Sequence, residues 1–125
     1  MLTKAGDFPV HQTPEPIAVA GTYRNFYDRY FFNGQANNGA SMFGLAMGIY
    51  PHLNITDAAV SLTDGTTQRS LFARRILHHE RLGTHAWPVR VVVEEPLQLL
   101  RVTIAENAAG IAGDMLFTGR AAPIA

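Results

Sequence analysis

Apolar residues alternate with polar or small residues over most of the chain after residue 22, which is the period-two pattern of β-strands. Residues 41–50 show it most clearly, because every odd position from Phe43 onward is large and apolar while glycine or alanine fills the even positions between them. This segment predicts a strand with one bulky face and one nearly bare face. Residues 87–93 alternate in the same way and place Trp87 on one face with three valines.

Seven predicted strands follow one another about ten residues apart, with turn signals between them. Asp64-Gly65 is a hairpin dipeptide, so residues 70–77 are predicted as strand, although a helix is the alternative there. Consecutive strands joined by short turns favour an antiparallel meander, which closes into a lipocalin-like barrel or folds into a sandwich to protect its edges. The fold class is therefore all-β, as one complete unit or half of a larger one. The predicted strands are residues 24–33, 41–50, 57–63, 66–77, 87–95, 98–105 and 111–118.

Residues 1–22 are expected to form an irregular N-terminal segment, because three prolines interrupt any regular helix or central strand there. Residues 23–125 are expected to form a single antiparallel β domain. No apolar run has the length of a signal-peptide core or a membrane span, so we expect a cytoplasmic protein without a membrane span. The chain has no cysteine, which excludes disulfides and thiol nucleophiles and fits a reducing compartment.

Charged residues make up only 16% of the chain, and ten basic residues balance ten acidic ones. A neutral chain lacks the basic field that holds phosphate backbones, so we expect no nucleic-acid partner. Soluble domains usually carry about 25% charged residues. Part of the surface should therefore be apolar and covered, either by a second β unit or by another copy of the chain in a homo-oligomer.

The densest group of aromatic and charged side chains lies in the first predicted strand. On a strand, Asp28, Tyr30 and Phe32 share one face, whereas Tyr27 and Arg29 share the other. Each face therefore offers one charged group among aromatic rings, which suits a ligand pocket. The alternative is that the aromatic side chains pack in the core and the two charged side chains pair with neighbouring strands.

A second group of polar side chains surrounds the end of the second predicted strand. Imidazole groups exchange protons near neutral pH, so His52 is a candidate for proton transfer, and Asp57 can orient it or act as an acid. Tyr50 and Asn54 lie beside them in the sequence and are candidate ligand-binding residues. The alternative is that Asn54 and Asp57 form turns by bonding their own backbone.

Five histidines raise the question of a metal site. His78 and His79 would point to opposite faces of an extended strand, however, and no HExxH motif occurs. Glycine patterns of nucleotide-binding loops are also lacking, so we predict no metal and no cofactor. The basic cluster within residues 69–75 can take an anionic group of a ligand, or it offsets Glu94 and Glu95 across a sheet.

Three stretches of the chain, NFYDRYFFNG (25–34), GIYPHLNITDAA (48–59) and LFTGRAAPI (116–124), resemble a largely uncharacterised bacterial family. That family is similar to the lipocalin-like superfamily of carotenoid hydratases, AttH-type proteins and tocopherol cyclases. Those proteins carry two β units, so the resemblance implies that this chain supplies one of them. It also implies a hydrophobic ligand, terpenoid or aromatic, held inside or between β units. No catalytic motif of those enzymes matches a position of this chain, so no catalytic role is transferred.

Three functions follow, and the sequence leaves open whether the chain is an enzyme. In the first, a β unit binds an apolar small molecule within a larger two-unit or oligomeric assembly, which requires a cavity of roughly 300 Å³ or more. In the second, a hydratase, cyclase or isomerase uses Asp28 or Asp57 as proton donor, with His52 or an aromatic ring stabilising charge. A purely structural assembly unit is the third. The candidate ligand-binding residues are Tyr27, Arg29, Tyr30, Phe32, Tyr50 and Asn54.

Overall fold

The computed structural model describes residues 23–78 and 83–122. This part of the chain forms eight strands and one turn of 3-10 helix, Pro51–Leu53, arranged as two four-stranded antiparallel sheets. The all-β prediction is therefore confirmed. Within these ranges no helix has the length and apolar character needed to cross a membrane. The strands are β1 (Asp28–Gln35), β2 (Met42–Tyr50), β3 (Ile55–Thr63), β4 (Gln68–Ile76), β5 (His85–Ala86), β6 (Val89–Glu95), β7 (Leu99–Ile104) and β8 (Gly113–Thr118).

All seven predicted strands occur, and the segment for which a helix was the alternative is strand β4. The two-residue strand β5 was not predicted. The first sheet has the order β1-β2-β3-β4 and the second β5-β6-β7-β8, so each sheet is a meander of neighbouring hairpins. The predicted N-terminal segment, residues 1–22, and His79 lie outside the described residues.

The β3–β4 hairpin illustrates how local chemistry sets the strand pairing. Gly65 has a φ of +91°, a conformation that glycine adopts without steric cost. The Asp64 carboxylate accepts backbone N–H groups from Thr66 (3.1 Å) and Thr67 (2.9 Å). These hydrogen bonds hold the pKa of the Asp64 carboxyl well below its usual range, because they stabilise its charged form. The predicted hairpin turn is thus present and is reinforced by its own acidic side chain.

The two sheets pack face to face, with a filled apolar layer between them. The bulky face predicted for residues 41–50 is the buried one, and Leu45 and Met47 are fully inaccessible to solvent. Rings of Phe32 and Phe43 in the first sheet contact Phe117 in the second, with centroids 4.6 and 6.2 Å apart. The buried cluster combines Leu45, Met47, Ala58 and Val60 of the first sheet with Ala86, Val89, Val91, Val102, Ile104 and Ile111. The molecule is therefore a sandwich.

The sandwich is open at its edges in the part of the chain that the structure describes. Strands of the first sheet pair only with one another, and so do strands of the second, so the closed lipocalin-like barrel is wrong. The chain leaves the first sheet directly after β4, because His78 takes a φ of +58° and can no longer extend the strand. The backbone N–H of Leu77 donates to the Asn54 carbonyl, and the N–H of His78 donates to the Asn54 side-chain oxygen.

Candidate functional site

The outer faces of the two sheets, which point away from the core, differ in chemistry. On the second sheet, Arg101 on β7 bonds Glu94 on β6 and Asp114 on β8, which is the ordinary charge pattern of a solvated face. The predicted pairing of the basic cluster 69–75 with Glu94 and Glu95 is wrong, because that cluster lies on the other sheet. Arg69 and Arg75 instead donate to backbone carbonyl groups.

The outer face of the first sheet carries large apolar side chains in solvent. Phe31 on one edge strand is 63% exposed and Phe72 on the other is 76% exposed, while Met42 and Ile76 are more than half exposed. The strand registers place Phe31, Ala46, Ala59 and Phe72 in one row across all four strands. Two large rings thus flank two methyl groups.

The neighbouring row of the same face has small residues, Gly44 and Ser61, in its two central positions, and polar residues, Asn33 and Ser70, at its two ends. We call the resulting depression the trough: Gly44, Ala46, Ala59 and Ser61 form its floor, and Phe31 and Phe72 form its walls. An open groove of about 600 Å³ lies at the Gly44 end of the trough, where Phe31, Gly44 and Ser61 line it and it extends toward Met42 and Gln68. Ala46, Ala59 and Phe72 lie outside this groove. A Cβ atom placed on Gly44 would meet nothing within 4 Å, so the floor is open at that position.

One end of the trough is polar. The next row across the sheet is Arg29, Gly48, Asp57 and Arg74. Tyr50 lies across Gly48, since a Cβ atom there would be 2.8 Å from the Tyr50 ring and 3.0 Å from Asp57 Oδ1. We call this group the polar end and define it as Tyr27, Arg29, Tyr50, Asp57 and Arg74.

Aromatic stacking orders the polar end. The rings of Tyr27 and Tyr50 are stacked with centroids 5.5 Å apart, and the Arg29 guanidinium carbon lies 5.9 Å from the Tyr27 ring centroid. Burial, followed by the charge of Asp57, raises the pKa of the Tyr50 hydroxyl above its ordinary value, and Arg29 partly offsets this. The Tyr50 hydroxyl is therefore protonated at neutral pH and can donate a hydrogen bond.

The candidate residues of the first predicted strand divide between two faces, as its alternation predicts. Tyr27 and Arg29 lie at the polar end. Tyr30 and Phe32 point inward and pack against the core. Asp28 also belongs to the inward-facing register, opposite Ile49, and its carboxylate accepts the backbone N–H of Arg29 at 2.7 Å.

The candidates from the second polar group also divide. Tyr50 and Asp57 join the polar end, and Asp57 is a residue of β3, so the prediction that it forms a turn is wrong. Asn54 does form the turn: it has a φ of +56°, and its side-chain oxygen accepts the N–H of His78 at 2.8 Å. His52 lies exposed in the 3-10 turn.

The two walls of the trough, Phe31 and Phe72, are not among the candidate residues predicted from the sequence. Phe31 and Phe72 have no sequence relation, and only the three strand registers bring them into one row. The small residues at positions 44 and 46 of β2 predicted the bare floor of the trough, but nothing in the sequence indicated which side chains form its walls. Within residues 23–78 and 83–122 no group of three histidine, aspartate or glutamate side chains is arranged to hold a metal ion.

Comparison with curated proteins gave no match, and comparison with solved structures gave none either. The profile of one protein family matches residues 2–125, which is nearly the whole chain. That family is described as a family of unknown function, DUF8625. The chain therefore belongs to the DUF8625 family.

Proposed function

We propose that the protein binds a small apolar molecule, of terpenoid or aromatic character, in the trough on the outer face of its first sheet. The observation that carries this proposal is the row of Phe31, Ala46, Ala59 and Phe72, in which two exposed rings flank a floor of methyl groups. Apolar patches of this kind on a soluble protein mark interaction sites. The sequence resemblance to lipocalin-like proteins points to the same class of ligand.

The dimensions of the trough suit such a ligand. The walls stand on β1 and β4, three strand spacings or about 14 Å apart. Fully burying a phenylalanine side chain is worth about 1.5–3 kcal/mol. Covering one of the two walls, Phe31 or Phe72, which are 63% and 76% exposed, would thus contribute about 1–2 kcal/mol, or roughly tenfold in affinity.

The space between the sheets offers less to a ligand. Leu45, Met47 and Val102 fill it and are inaccessible to solvent. The groove at the Gly44 end of the trough, by contrast, exceeds the roughly 300 Å³ that a small-molecule site needs. It is open opposite its floor, so a second β unit or another copy of the chain would complete the enclosure. The low charge content of the chain supports such a larger assembly.

Acid catalysis on a hydrophobic substrate has weaker support. A proton donor at neutral pH needs a closed apolar environment that disfavours the carboxylate. Asp57 instead lies on an open sheet face, in one row with Arg29 and Arg74. Asp28 accepts a backbone hydrogen bond. Binding without chemistry is therefore the function that we propose.

Gly44→Val tests the trough directly. A valine there points into open space, so the fold should tolerate it, and strands favour β-branched residues. The added side chain occupies the floor and should weaken the binding of farnesol, a neutral terpenoid probe, at least tenfold in isothermal titration calorimetry.

Gly113→Val is the matched control, because a Cβ atom on Gly113 also meets nothing within 4 Å and the residue lies on β8 of the other sheet. This variant should bind farnesol like the original protein. Undiminished binding by Gly44→Val, or equal losses in both variants, would contradict the proposal.

A further inference from the structure

We propose that the ligand of the trough is an amphiphile with a single carboxylate, which Arg29 and the Tyr50 hydroxyl bind at the polar end while the apolar body lies in the trough. This inference rests on the proposed function of the trough and adds the chemical class of the ligand. The charges of the face, the placement of Arg29 and Tyr50, and the adjacency of the two regions support it.

The charges on this face leave an excess of one positive charge. Among its described residues the charged ones are Arg29, Asp57 and Arg74. Asp57 and Arg74 stand directly opposite each other on β3 and β4, a separation at which opposite charges on neighbouring strands interact. Arg29 is one strand further away, with Gly48 between it and Asp57. The row therefore carries a net charge of +1, with Arg29 at its β1 end, Arg74 at its β4 end and Asp57 Oδ1 reaching over Gly48.

Arg29 is placed to receive an anion. Its guanidinium lies over the Tyr27 ring, and the stack of Tyr27 on Tyr50 fixes that ring in turn. A guanidinium that stacks on an aromatic face keeps its planar N–H groups available for a carboxylate. Preorganisation of this kind lowers the entropy that the side chain loses on binding.

The Tyr50 hydroxyl supplies a second donor at the same place. A Cβ atom on Gly48 would lie 2.9 Å from the hydroxyl oxygen, so the hydroxyl stands above Gly48, the residue between Arg29 and Asp57. Its raised pKa keeps it protonated. An anionic head would meet the Arg29 guanidinium and the Tyr50 hydroxyl, with Asp57 Oδ1 also 3.0 Å from the Cβ position of Gly48. The row holds two arginines and one carboxylate, so its net charge favours an anion over a cation.

The polar end and the trough occupy neighbouring rows of the same sheet face. Phe31 lies two residues from Arg29 on the same face, or about 7 Å away at the usual rise of a strand. From Arg29 to Gln35, the last residue of β1, the distance is about 20 Å by the same rise. The site therefore suits a molecule with a carboxylate at one end and an apolar body up to about 20 Å long.

Farnesoic acid and farnesol form a matched pair of probes, because they share the apolar body and differ only in the head group. At pH 8 and low salt, we expect the original protein to bind the acid at least tenfold more tightly than the alcohol. Arg29→Gln should abolish this preference by lowering the affinity for the acid at least tenfold. Tyr50→Phe should reduce the preference about threefold, as expected for a neutral hydrogen bond.

Arg90→Gln is the matched control, since Arg90 is an exposed arginine on the outer face of the other sheet. It removes the same charge and should leave the preference intact, which excludes an effect of net charge alone. Raising the salt concentration should weaken binding of the acid but not of the alcohol. Thermal melting of each variant verifies that it is folded.

The outcomes separate this inference from the function on which it rests. Equal affinity of the original protein for the acid and the alcohol would overturn the carboxylate inference and leave trough binding intact. A preference for the acid that survives Arg29→Gln would also overturn it. Failure to bind either probe would overturn both, and a dimer that excludes both probes would identify a second copy as the occupant.

Discussion

Arg75 is predicted to hold together the connection between the two sheets. It lies at the end of β4 on the inward-facing register, opposite Thr56. Its guanidinium donates to the carbonyl oxygens of His85 (2.6 Å), Ile76 (2.9 Å), Leu77 (3.3 Å) and Gly83. These acceptors belong to the end of β4, the crossing segment and β5. One side chain thus bonds the chain on both sides of residues 79–82.

Replacing Arg75 by methionine keeps much of the side-chain volume and removes all four hydrogen bonds. The bonds to His85 and Ile76 are exposed, so water can replace them at little cost. Those to Leu77 and Gly83 are partly buried, and hydrogen bonds from a charged donor are worth about 1.5–3 kcal/mol each. We expect Arg75→Met to lower the free energy of unfolding by about 3 kcal/mol.

Urea denaturation followed by circular dichroism measures this loss. With a slope of about 1.5 kcal/mol per molar, the midpoint should fall by about 2 M. Arg69→Met is the matched control, because Arg69 shares the strand and register but makes one exposed bond, to the Gly110 carbonyl at 3.4 Å. It should cost about 0.5 kcal/mol or less. Equal losses in the two variants would refute the assigned role of Arg75.

Two further predictions concern stability. Asp64→Asn should be less stable than the original protein at pH 7, and the gap should narrow as the pH falls below about 4. The sign follows from the lowered pKa of the Asp64 carboxyl: its stabilising effect is complete above the pKa of the unfolded chain and is lost as the carboxylate is protonated. Melting temperatures of both proteins at pH 7, 4 and 3 measure the difference in stability, and a difference that does not change with pH would contradict the prediction. Thr84→Val should lower the free energy of unfolding by about 1–2 kcal/mol in urea denaturation, because the buried Thr84 hydroxyl donates to the Val91 carbonyl at 2.6 Å. An unchanged urea midpoint would show that this hydrogen bond contributes nothing.

The strands were predictable wherever one face is buried over several residues. In β2 the large buried residues Leu45, Met47 and Ile49 alternate in the sequence with glycine and alanine, which gives a clear period of two. The pattern fails in short elements: β5 has two residues and shows no period. Trp87 was expected to share one strand face with three valines, but it lies in the turn between β5 and β6 and is 74% exposed.

The grouping of the candidate site depends on strand register, which the sequence does not display. Arg29, Gly48, Asp57 and Arg74 fall in one row only when three hairpins pair as they do, and a slip of one residue would reverse the face of a strand. Whether the strands close into a barrel could not be predicted either, because short turns and protected sheet edges are compatible with both a barrel and a sandwich. In the described residues, the two sheets share no strand pair, and this decides between them.

The central claim is that an apolar ligand lies on the outer face of the first sheet and not between the sheets. Methyl NMR of methionine- and alanine-labelled protein during a farnesol titration tests it most directly, because both residue types occur on both faces. Met42, Ala46 and Ala59 report on the outer face, and Met47 and Ala58 report on the buried core. We predict shifts of the first three methyl signals and none of the last two. Shifts confined to Met47 and Ala58 would place the ligand between the sheets and contradict the claim.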